Sequence, residues 1–162
     1  MDLAGFLNSL GAKIKGAGTA QIEIIGVDAI GGNQYYTIIP DRIEAGTYLA
    51  AVATAGGDVT LRNVRAEHLT PVISKLQEAG AEVYSEGSTL QIIRDKPLES
   101  VDLMTLPYPG FPTDLQPIFA ALNSRARGVA IIRETVFENR FRYVNELLRM
   151  GADIKVQGNV AL

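Results

Sequence analysis

The chain has 162 residues, of which 47% are hydrophobic and 20% are charged, a composition typical of a globular protein that excludes intrinsic disorder. Cysteine is absent, which excludes disulfides, thiolate metal sites and a cysteine nucleophile within these residues. No apolar run is long enough to span a bilayer, and a net charge of −3 without a basic stripe argues against nucleic-acid binding.

The first 34 residues predict a helix and a hairpin. Residues 2–10 place four apolar side chains on one helical face, and Gly11 is suited to the left-handed position that ends a helix. Residues 12–15 and 21–26 have the pattern of two hairpin strands, and residues 31–33 (GGN) form a turn or linker.

Residues 35–97 predict a longer series of elements. A strand over 35–39 leads to Asp41, a helix N-cap with Glu44 at the capping-box spacing. The helix places apolar side chains on its buried side and ends at two glycines; this side consists of Ile43, Tyr48, Leu49 and Val52. A strand over 58–63 with Val59 and Leu61 inward, a helix from Thr70 to Gly80 and a hairpin over 81–93 follow.

Residues 98–162 repeat this order. A helix over 113–124 is predicted by Leu115, Ile118, Phe119 and Leu122 at helical spacing, and residues 128–132 (GVAII) indicate a buried strand. The polar segment 133–140 follows that strand and leads into another helix. Loops at strand ends commonly carry binding groups in α/β proteins.

An internal repeat relates the two later segments. Gly128 and Gly151 lie 71 positions after Gly57 and Gly80, and the same shift brings Leu76 onto Leu147. The order strand, helix, strand, helix, strand, strand therefore occurs twice, and residues 6–19 match only the back half of the unit. The chain is predicted to be an α/β protein of about two and a half βαβαββ units.

Four segments carry a resemblance to a known family. Residues 39–47 read IPDRIEAGT, 111–116 read FPTDLQ, 134–141 read ETVFENRF and 149–152 read RMGA. In this order they resemble the UDP-N-acetylglucosamine 1-carboxyvinyltransferases, which are enolpyruvyl transferases. The resemblance implies an inside-out α/β barrel in which each half contains three repeat units. Residues 1–34 would close one half, and about 35–97 and 98–162 would be two units of the other.

This resemblance also implies a function. The family transfers enolpyruvyl from phosphoenolpyruvate to UDP-N-acetylglucosamine in peptidoglycan precursor synthesis, in the cytoplasm and without a metal or organic cofactor. We expect this chain to be an internal fragment, inactive without the remainder of the enzyme and able to self-associate through an exposed apolar face. Two alternatives stay open: an enzyme similar to the shikimate-pathway 3-phosphoshikimate 1-carboxyvinyltransferase, and a non-catalytic repeat module.

The candidate site residues come from the same motifs. From sequence alone Asp114 is best explained as a helix cap, but the resemblance makes it the base that takes the proton of the attacking sugar hydroxyl. By the same resemblance the backbone of Val136 contacts UDP-N-acetylglucosamine and Phe137 lines the sugar pocket, although its side chain alone would be assigned to the core. Arg140 would bind phosphate or carboxylate, or pair on the surface with Glu134 or Glu138.

Other conspicuous residues point to no chemistry. His68, the single histidine, lies among polar residues before a helix and is predicted to be solvent-exposed; without a second histidine or a cysteine it indicates no metal site. Glu134 and Glu138 are four positions apart, and nothing in the pattern requires them to act as an acid–base pair.

Overall fold

The computed structural model describes all 162 residues, which divide into two compact units, 1–40 and 41–162. The smaller unit contains helix α1 (Asp2–Ser9) and an antiparallel hairpin of β1 (Lys13–Lys15) and β2 (Glu23–Ile25). Gly11 ends α1 with φ of 100°, as its position predicts. The predicted assignment of 1–34 to one half of a longer enzyme stays a prediction.

The strand predicted over residues 35–39 is wrong. These residues join no β-ladder in the structure, and a strand needs hydrogen bonds from a neighbouring strand to persist. The segment is attached to α1 by Tyr36, whose hydroxyl donates to the backbone oxygen of Asp2 at 2.9 Å and whose ring contacts Phe6 with centroids 5.4 Å apart.

The larger unit begins with helix α2 (Arg42–Ala55), and Asp41 caps it by accepting a hydrogen bond from the Ile43 N–H at 2.7 Å. Strand β3 (Gly57–Arg62), a 3₁₀ turn (Ala66–His68), helix α3 (Thr70–Glu78) and the hairpin β4 (Glu82–Glu86) and β5 (Thr89–Arg94) follow. The three strands form an antiparallel sheet in the order β3-β5-β4.

Strand β6 (Leu103–Met104) comes next and has no counterpart strand in the first repeat. The rest of this unit then repeats the order with shorter helices and strands: a 3₁₀ turn (Thr113–Leu115), α4 (Gln116–Asn123), β7 (Ile132–Arg133), a 3₁₀ turn (Arg140–Tyr143), α5 (Val144–Arg149), β8 (Val156–Gln157) and β9 (Val160–Ala161). The sheet order is β6-β7-β9-β8, with β6 parallel to β7 and the other pairs antiparallel. None of the helices is both long enough and apolar enough to cross a membrane.

Strand register confirms the repeat predicted from the sequence. Leu61 pairs with Leu90 in the first sheet, and the residues 71 positions later, Ile132 and Ala161, pair in the second. The helix ends agree as well: Gly80 and Gly151 adopt φ of 96° and 94°, each followed by an alanine whose N–H donates to a leucine carbonyl one helical turn back. The two segments therefore share register and caps, not only a pattern of hydrophobicity.

The core of the larger unit lies where its helices pack on each other and on the sheets. Its largest fully buried side chains come from both repeats and include Leu49, Leu76, Leu90, Phe119 and Leu122. Helix α2 approaches the 3₁₀ turn before α4 closely at Gly46, where an added Cβ would overlap the side chain of Leu115. This contact joins the two repeats.

Three predictions about the core are wrong. The buried strand predicted over residues 128–132 is limited to Ile132 and Arg133 in β7, and Val129 and Ile131 are 73% and 44% exposed. Tyr48 is 55% exposed, because α2 turns Ala45, Ala50 and Ala53 inward instead, where small side chains allow close packing. Val59 is 38% exposed because β3 packs mainly through its neighbour Leu61. Tyr48 fits the helical spacing and Val59 fits the strand alternation, but each lies at the margin of the buried face.

Candidate active site

The candidate site lies at the carboxyl ends of β6 and β7. Because these strands are parallel neighbours, the residues that follow them, Thr105 and Glu134, emerge at the same edge of the sheet. The Thr105 N–H donates to the Arg133 carbonyl at 3.0 Å and continues the pairing by one residue. In sheets of this kind, such an edge is where ligands bind most often.

Glu134 connects the segments that meet at this edge through its side-chain hydrogen bonds. It is only 4% exposed, and its carboxylate accepts four hydrogen bonds. Oε1 accepts from the Thr105 hydroxyl at 2.7 Å and from the N–H groups of Val136 and Phe137 at 2.8 and 2.9 Å, and Oε2 accepts from the Thr113 hydroxyl at 2.9 Å. A buried carboxylate is tolerated when its oxygens are paired in this way.

These four donors also determine the charge of Glu134. Burial raises the pKa of a carboxyl group, but the hydrogen bonds from Thr105, Phe137, Val136 and Thr113 favour the ionised form and together outweigh burial, so the pKa of Glu134 lies below its ordinary value. No cation forms an ion pair with it. Hydrogen bonds alone therefore hold this charge in the interior.

Backbone contacts fix the main chain around Glu134. Its N–H donates to the Asn159 carbonyl at 2.9 Å, and the Asn159 side-chain amide donates to the Glu134 carbonyl at 3.0 Å. The Thr135 N–H donates to the Thr105 hydroxyl at 2.9 Å, and the Thr135 hydroxyl donates to the Thr105 carbonyl. The start of the loop is thus tied to the β8–β9 turn on one side and to the end of β6 on the other.

Asp114 does not act as a helix cap. Its turn has no side-chain cap hydrogen bond, and the one partner of its carboxylate is Arg140, whose Nη2 lies 2.8 Å from Oδ1. The Arg140 guanidinium carbon in turn lies 5.1 Å from the centre of the Phe137 ring. Of the partners predicted for Arg140, neither Glu134 nor Glu138 is used, and a carboxylate from another motif takes their place.

Phe137 and Val136 lie at the surface, beside an open hollow. They are 57% and 43% exposed, so the assignment of Phe137 to the core on hydrophobicity alone is wrong. The hollow has a volume of about 980 Å³ and is lined by residues 134–142 together with Val156, Gly158 and Asn159. Arg140 lines the hollow, and Asp114 lies next to it as the ion-pair partner of Arg140. The side chain of Asp114 is 59% exposed and that of Arg140 is 22% exposed.

Tyr143 lies behind the loop with its hydroxyl buried and unpaired. Burial, reinforced by the negative charge of Glu134, raises the pKa of this phenol, while Arg140 opposes the shift. Tyr143 is therefore neutral at physiological pH.

The structure brings all the predicted site residues, Asp114, Val136, Phe137 and Arg140, together and adds Glu134, Thr105 and Thr113. The sequence offered one signal for Glu134 and Thr135, since they directly follow a buried strand. It offered none for Thr105. Thr113 lies in the FPTDLQ segment, but only as the neighbour of Asp114, and no role for its hydroxyl was predicted.

The other conspicuous residues lie apart from this network. His68 is half-buried, not exposed as predicted, because its ring contacts Tyr108 edge-on with centroids 6.3 Å apart. Arg42 lies over the same Tyr108 ring at 5.1 Å. No cluster of three histidine or acidic side chains is arranged to hold a metal ion.

Curated relatives agree with the motifs. A UDP-N-acetylglucosamine 1-carboxyvinyltransferase from Desulfofundulus thermocisternus is 53% identical over 161 residues, which are 99% of this chain and 66% of that protein. UDP-N-acetylglucosamine 1-carboxyvinyltransferase 3 from Caldanaerobacter subterraneus subsp. tengcongensis is 51% identical over 162 residues, 100% of this chain and 39% of that protein. The chain thus spans between about two fifths and two thirds of the length of these relatives.

Solved structures confirm the predicted fold class. The enolpyruvyl transferase NikO from Streptomyces tendae superposes with a TM-score of 0.81 at 27% identity, over 99% of this chain and 38% of that chain. An EPSP synthase from Acinetobacter baumannii superposes with a TM-score of 0.53 at 16% identity, over 98% of this chain and 37% of that one, and supports the fold alone. The sequence profile of the EPSP synthase (3-phosphoshikimate 1-carboxyvinyltransferase) family matches residues 1–162, and the chain belongs to this family of enolpyruvyl transferases.

Proposed function

We propose that this chain is part of a UDP-N-acetylglucosamine 1-carboxyvinyltransferase, a cytoplasmic enzyme of peptidoglycan precursor synthesis. The names of relatives that are 51–53% identical over the whole chain support this assignment within the family. The observation that carries it in the structure is the contact of Asp114 with Arg140 and of Arg140 with Phe137, which joins two distant motifs at one hollow.

The proposed reaction is an addition followed by an elimination. The 3-hydroxyl oxygen of UDP-N-acetylglucosamine attacks C2 of phosphoenolpyruvate, the hydroxyl proton passes to a base, and a proton from an acid is added to the methylene carbon. Phosphate then leaves as the new methyl group loses a proton, which restores the double bond. Such a sequence needs a base, an acid and cations near the phosphate.

Asp114 is suited to the role of the base. Its carboxylate is 59% exposed, so a hydroxyl can reach it, and Arg140 occupies Oδ1 while Oδ2 makes no hydrogen bond within the chain. Arg140 would hold the carboxylate in one orientation, and its own position is fixed by Phe137. Orientation of this kind lowers the entropy cost of bringing base and hydroxyl together.

Val136 and Phe137 would bind the sugar nucleotide on the other side of the hollow. Because both of their N–H groups donate to Glu134, the free polar group of Val136 is its carbonyl oxygen, which has no hydrogen-bond donor within the chain. A carbonyl accepts from an amide N–H or a hydroxyl, both of which UDP-N-acetylglucosamine carries. The exposed Phe137 ring offers an apolar surface to the sugar.

The acid and most of the cations would come from the rest of the enzyme. Arg140 and Arg142 are the only cations that line the hollow, and Arg140 is already paired with Asp114. We therefore expect that the isolated chain does not turn over the two substrates and that it binds the nucleotide sugar weakly, since it would provide one side of a cleft.

An acceptor assay tests this function. Phosphate release from phosphoenolpyruvate is measured for the proposed full-length enzyme with either UDP-N-acetylglucosamine or shikimate 3-phosphate. We expect release with the first acceptor alone, and none from the isolated chain. Release with shikimate 3-phosphate alone would assign the enzyme to the shikimate-pathway type. A folded full-length protein without either activity would favour a non-catalytic repeat module.

A further inference from the structure

We propose that Glu134 is a positioning residue, whose buried carboxylate sets the distance between the Asp114 segment and the Val136–Phe137 backbone. Its carboxylate makes no hydrogen bond to Asp114 and acts on it through Thr113. Its two oxygens divide their bonds, with Oε1 accepting from the loop amides and Oε2 accepting from Thr113, the neighbour of Asp114. One rigid side chain thus spans the two motifs.

The contacts form a closed ring of five residues, called here the contact ring: Glu134, Thr113, Asp114, Arg140 and Phe137. Thr113 lies 2.9 Å from Glu134 and is covalently joined to Asp114, which lies 2.8 Å from Arg140. Arg140 lies over the Phe137 ring at 5.1 Å, and the Phe137 N–H returns to Glu134 at 2.9 Å. A displacement of Glu134 therefore moves both ends of the Asp114–Arg140 pair.

The burial of Glu134 argues that this arrangement is retained for geometry. A core position filled with an apolar side chain avoids the cost of burying a charge, yet here the carboxylate is 4% exposed and has no cationic partner. An apolar replacement would leave the N–H groups of Val136 and Phe137 and the hydroxyl of Thr113 without an acceptor. The carboxylate is the one group present that satisfies all of them.

Two substitutions separate positioning from charge. In Glu134→Gln the amide oxygen can replace Oε1, and the NH₂ group can donate to the Thr113 hydroxyl, so the geometry is kept although the charge is lost. In Glu134→Asp the charge is kept, but the side chain is shorter by about 1.5 Å and cannot reach both segments. Positioning predicts that Gln is tolerated better than Asp, whereas an electrostatic role predicts the reverse.

The test is amide hydrogen exchange, measured by NMR on the 162-residue chain and its two variants. We expect the amides of Val136 and Phe137 to exchange about tenfold faster in Glu134→Asp and to stay within about threefold of the parent in Glu134→Gln. The amides of the central strand β5 should not change in either variant. Equal effects of the two substitutions, or exchange in β5 that rises as much as in the loop, would overturn the proposal.

The inference rests on the proposed function only for the identity of the ligand. A titration with UDP-N-acetylglucosamine of the proposed full-length enzyme and of its two variants should show weaker binding by Glu134→Asp than by Glu134→Gln. If the exchange result holds and none of the three proteins binds the nucleotide sugar, Glu134 still positions the loop and the proposed function fails. If binding holds and exchange does not differ between the variants, the positioning role fails instead.

Discussion

The loops that join β3 to α3 and β7 to α5 occupy equivalent places in the two repeats, yet they are held in different ways. In the first loop and the start of α3, residues 63–71, Val64 and Leu69 are 6% and 1% exposed and anchor the chain in the core. The residues 71 positions later, Thr135 and Arg140, are polar. Thr135 bonds to Thr105, and Arg140 pairs with Asp114.

This difference shows how one fold can carry a loop anchored by buried apolar side chains and a candidate binding loop held by polar contacts. Burial of a leucine contributes about 1.5–3 kcal/mol and needs no specific partner. A loop without such anchors is held here by hydrogen bonds to Glu134, each worth about 1.5–3 kcal/mol because the acceptor is charged. Hydrogen bonds leave the side chains of Val136 and Phe137 free at the surface.

The largest expected effect concerns Asp114 in the proposed full-length enzyme. Asp114→Asn keeps the size of the side chain and removes the proton acceptor, so turnover should fall by about 10²–10⁴-fold while the fold is kept. The measurement is kcat together with the thermal melting curve. Near-normal turnover with an unchanged melting curve would remove Asp114 from the chemistry. Asp58→Asn, an exposed aspartate on β3, is the matched control and should retain full activity.

The second prediction compares the two loops directly. Leu69→Ala removes a fully buried side chain and should lower the free energy of unfolding by about 2–5 kcal/mol. Arg140→Ala removes a partly exposed ion pair and should lower it by about 1 kcal/mol or less. Urea denaturation of both variants measures the difference. Equal losses would mean that the two loops are anchored alike.

The third prediction concerns the helices that follow the loops. Ala79, next to α3, is fully buried, whereas the equivalent Met150 next to α5 is 83% exposed. Exposed apolar surface of this kind favours association, so we expect the isolated chain to self-associate and Met150→Lys to reduce it. Light scattering over a concentration series measures the mass. Tyr84→Lys, at a residue 54% exposed on β4, is the control. A monodisperse parent chain that binds no apolar dye would contradict the prediction.

The smallest expected effect is a dependence of stability on pH. The pKa of Glu134 is lower in the folded chain than its ordinary value of 4.5, since hydrogen bonds outweigh burial. Its ionised form therefore stabilises the fold above the ordinary value, and this contribution is lost as the pH falls below 4.5 and through the folded-state pKa. Urea midpoints of the parent chain should fall more steeply in acid than those of Glu134→Gln. Parallel curves would contradict the predicted shift.

Most of the fold could be predicted from the sequence, because short segments of each repeat carry the residues that begin and end its helices and strands. Glycines such as Gly80 and Gly151 indicated where helices end. The constant shift of 71 positions predicted that the two segments are equivalent, and the strand pairs of the two sheets are related by the same shift. The failure at residues 35–39 has a physical reason. A strand depends on a partner, and the pattern of one segment does not reveal whether a partner is present.

The site was predicted less completely. The family motifs identified four site residues: Asp114, Val136, Phe137 and Arg140. They did not predict the contact between Asp114 and Arg140, which are 26 positions apart in the sequence. In the sequence Glu134 is marked only by its position after a predicted strand and at the start of the ETVFENRF segment, and neither feature shows that its side chain is buried. Its carboxylate can be buried because Thr105 and Thr113, 29 and 21 positions away, donate hydrogen bonds to it. Thr105 comes close to Glu134 only because the parallel strands β6 and β7 end side by side.

We propose that the second loop forms part of a nucleotide-sugar site and that the first loop does not. The most direct test is an NMR titration of the ¹⁵N-labelled chain with UDP-N-acetylglucosamine, followed by the amide shifts of residues 63–71 and 134–142. We expect progressive shifts at 134–142, centred on Val136 and Phe137, and none at 63–71. Shifts concentrated at 63–71, with residues 134–142 unchanged at saturating ligand, would contradict it.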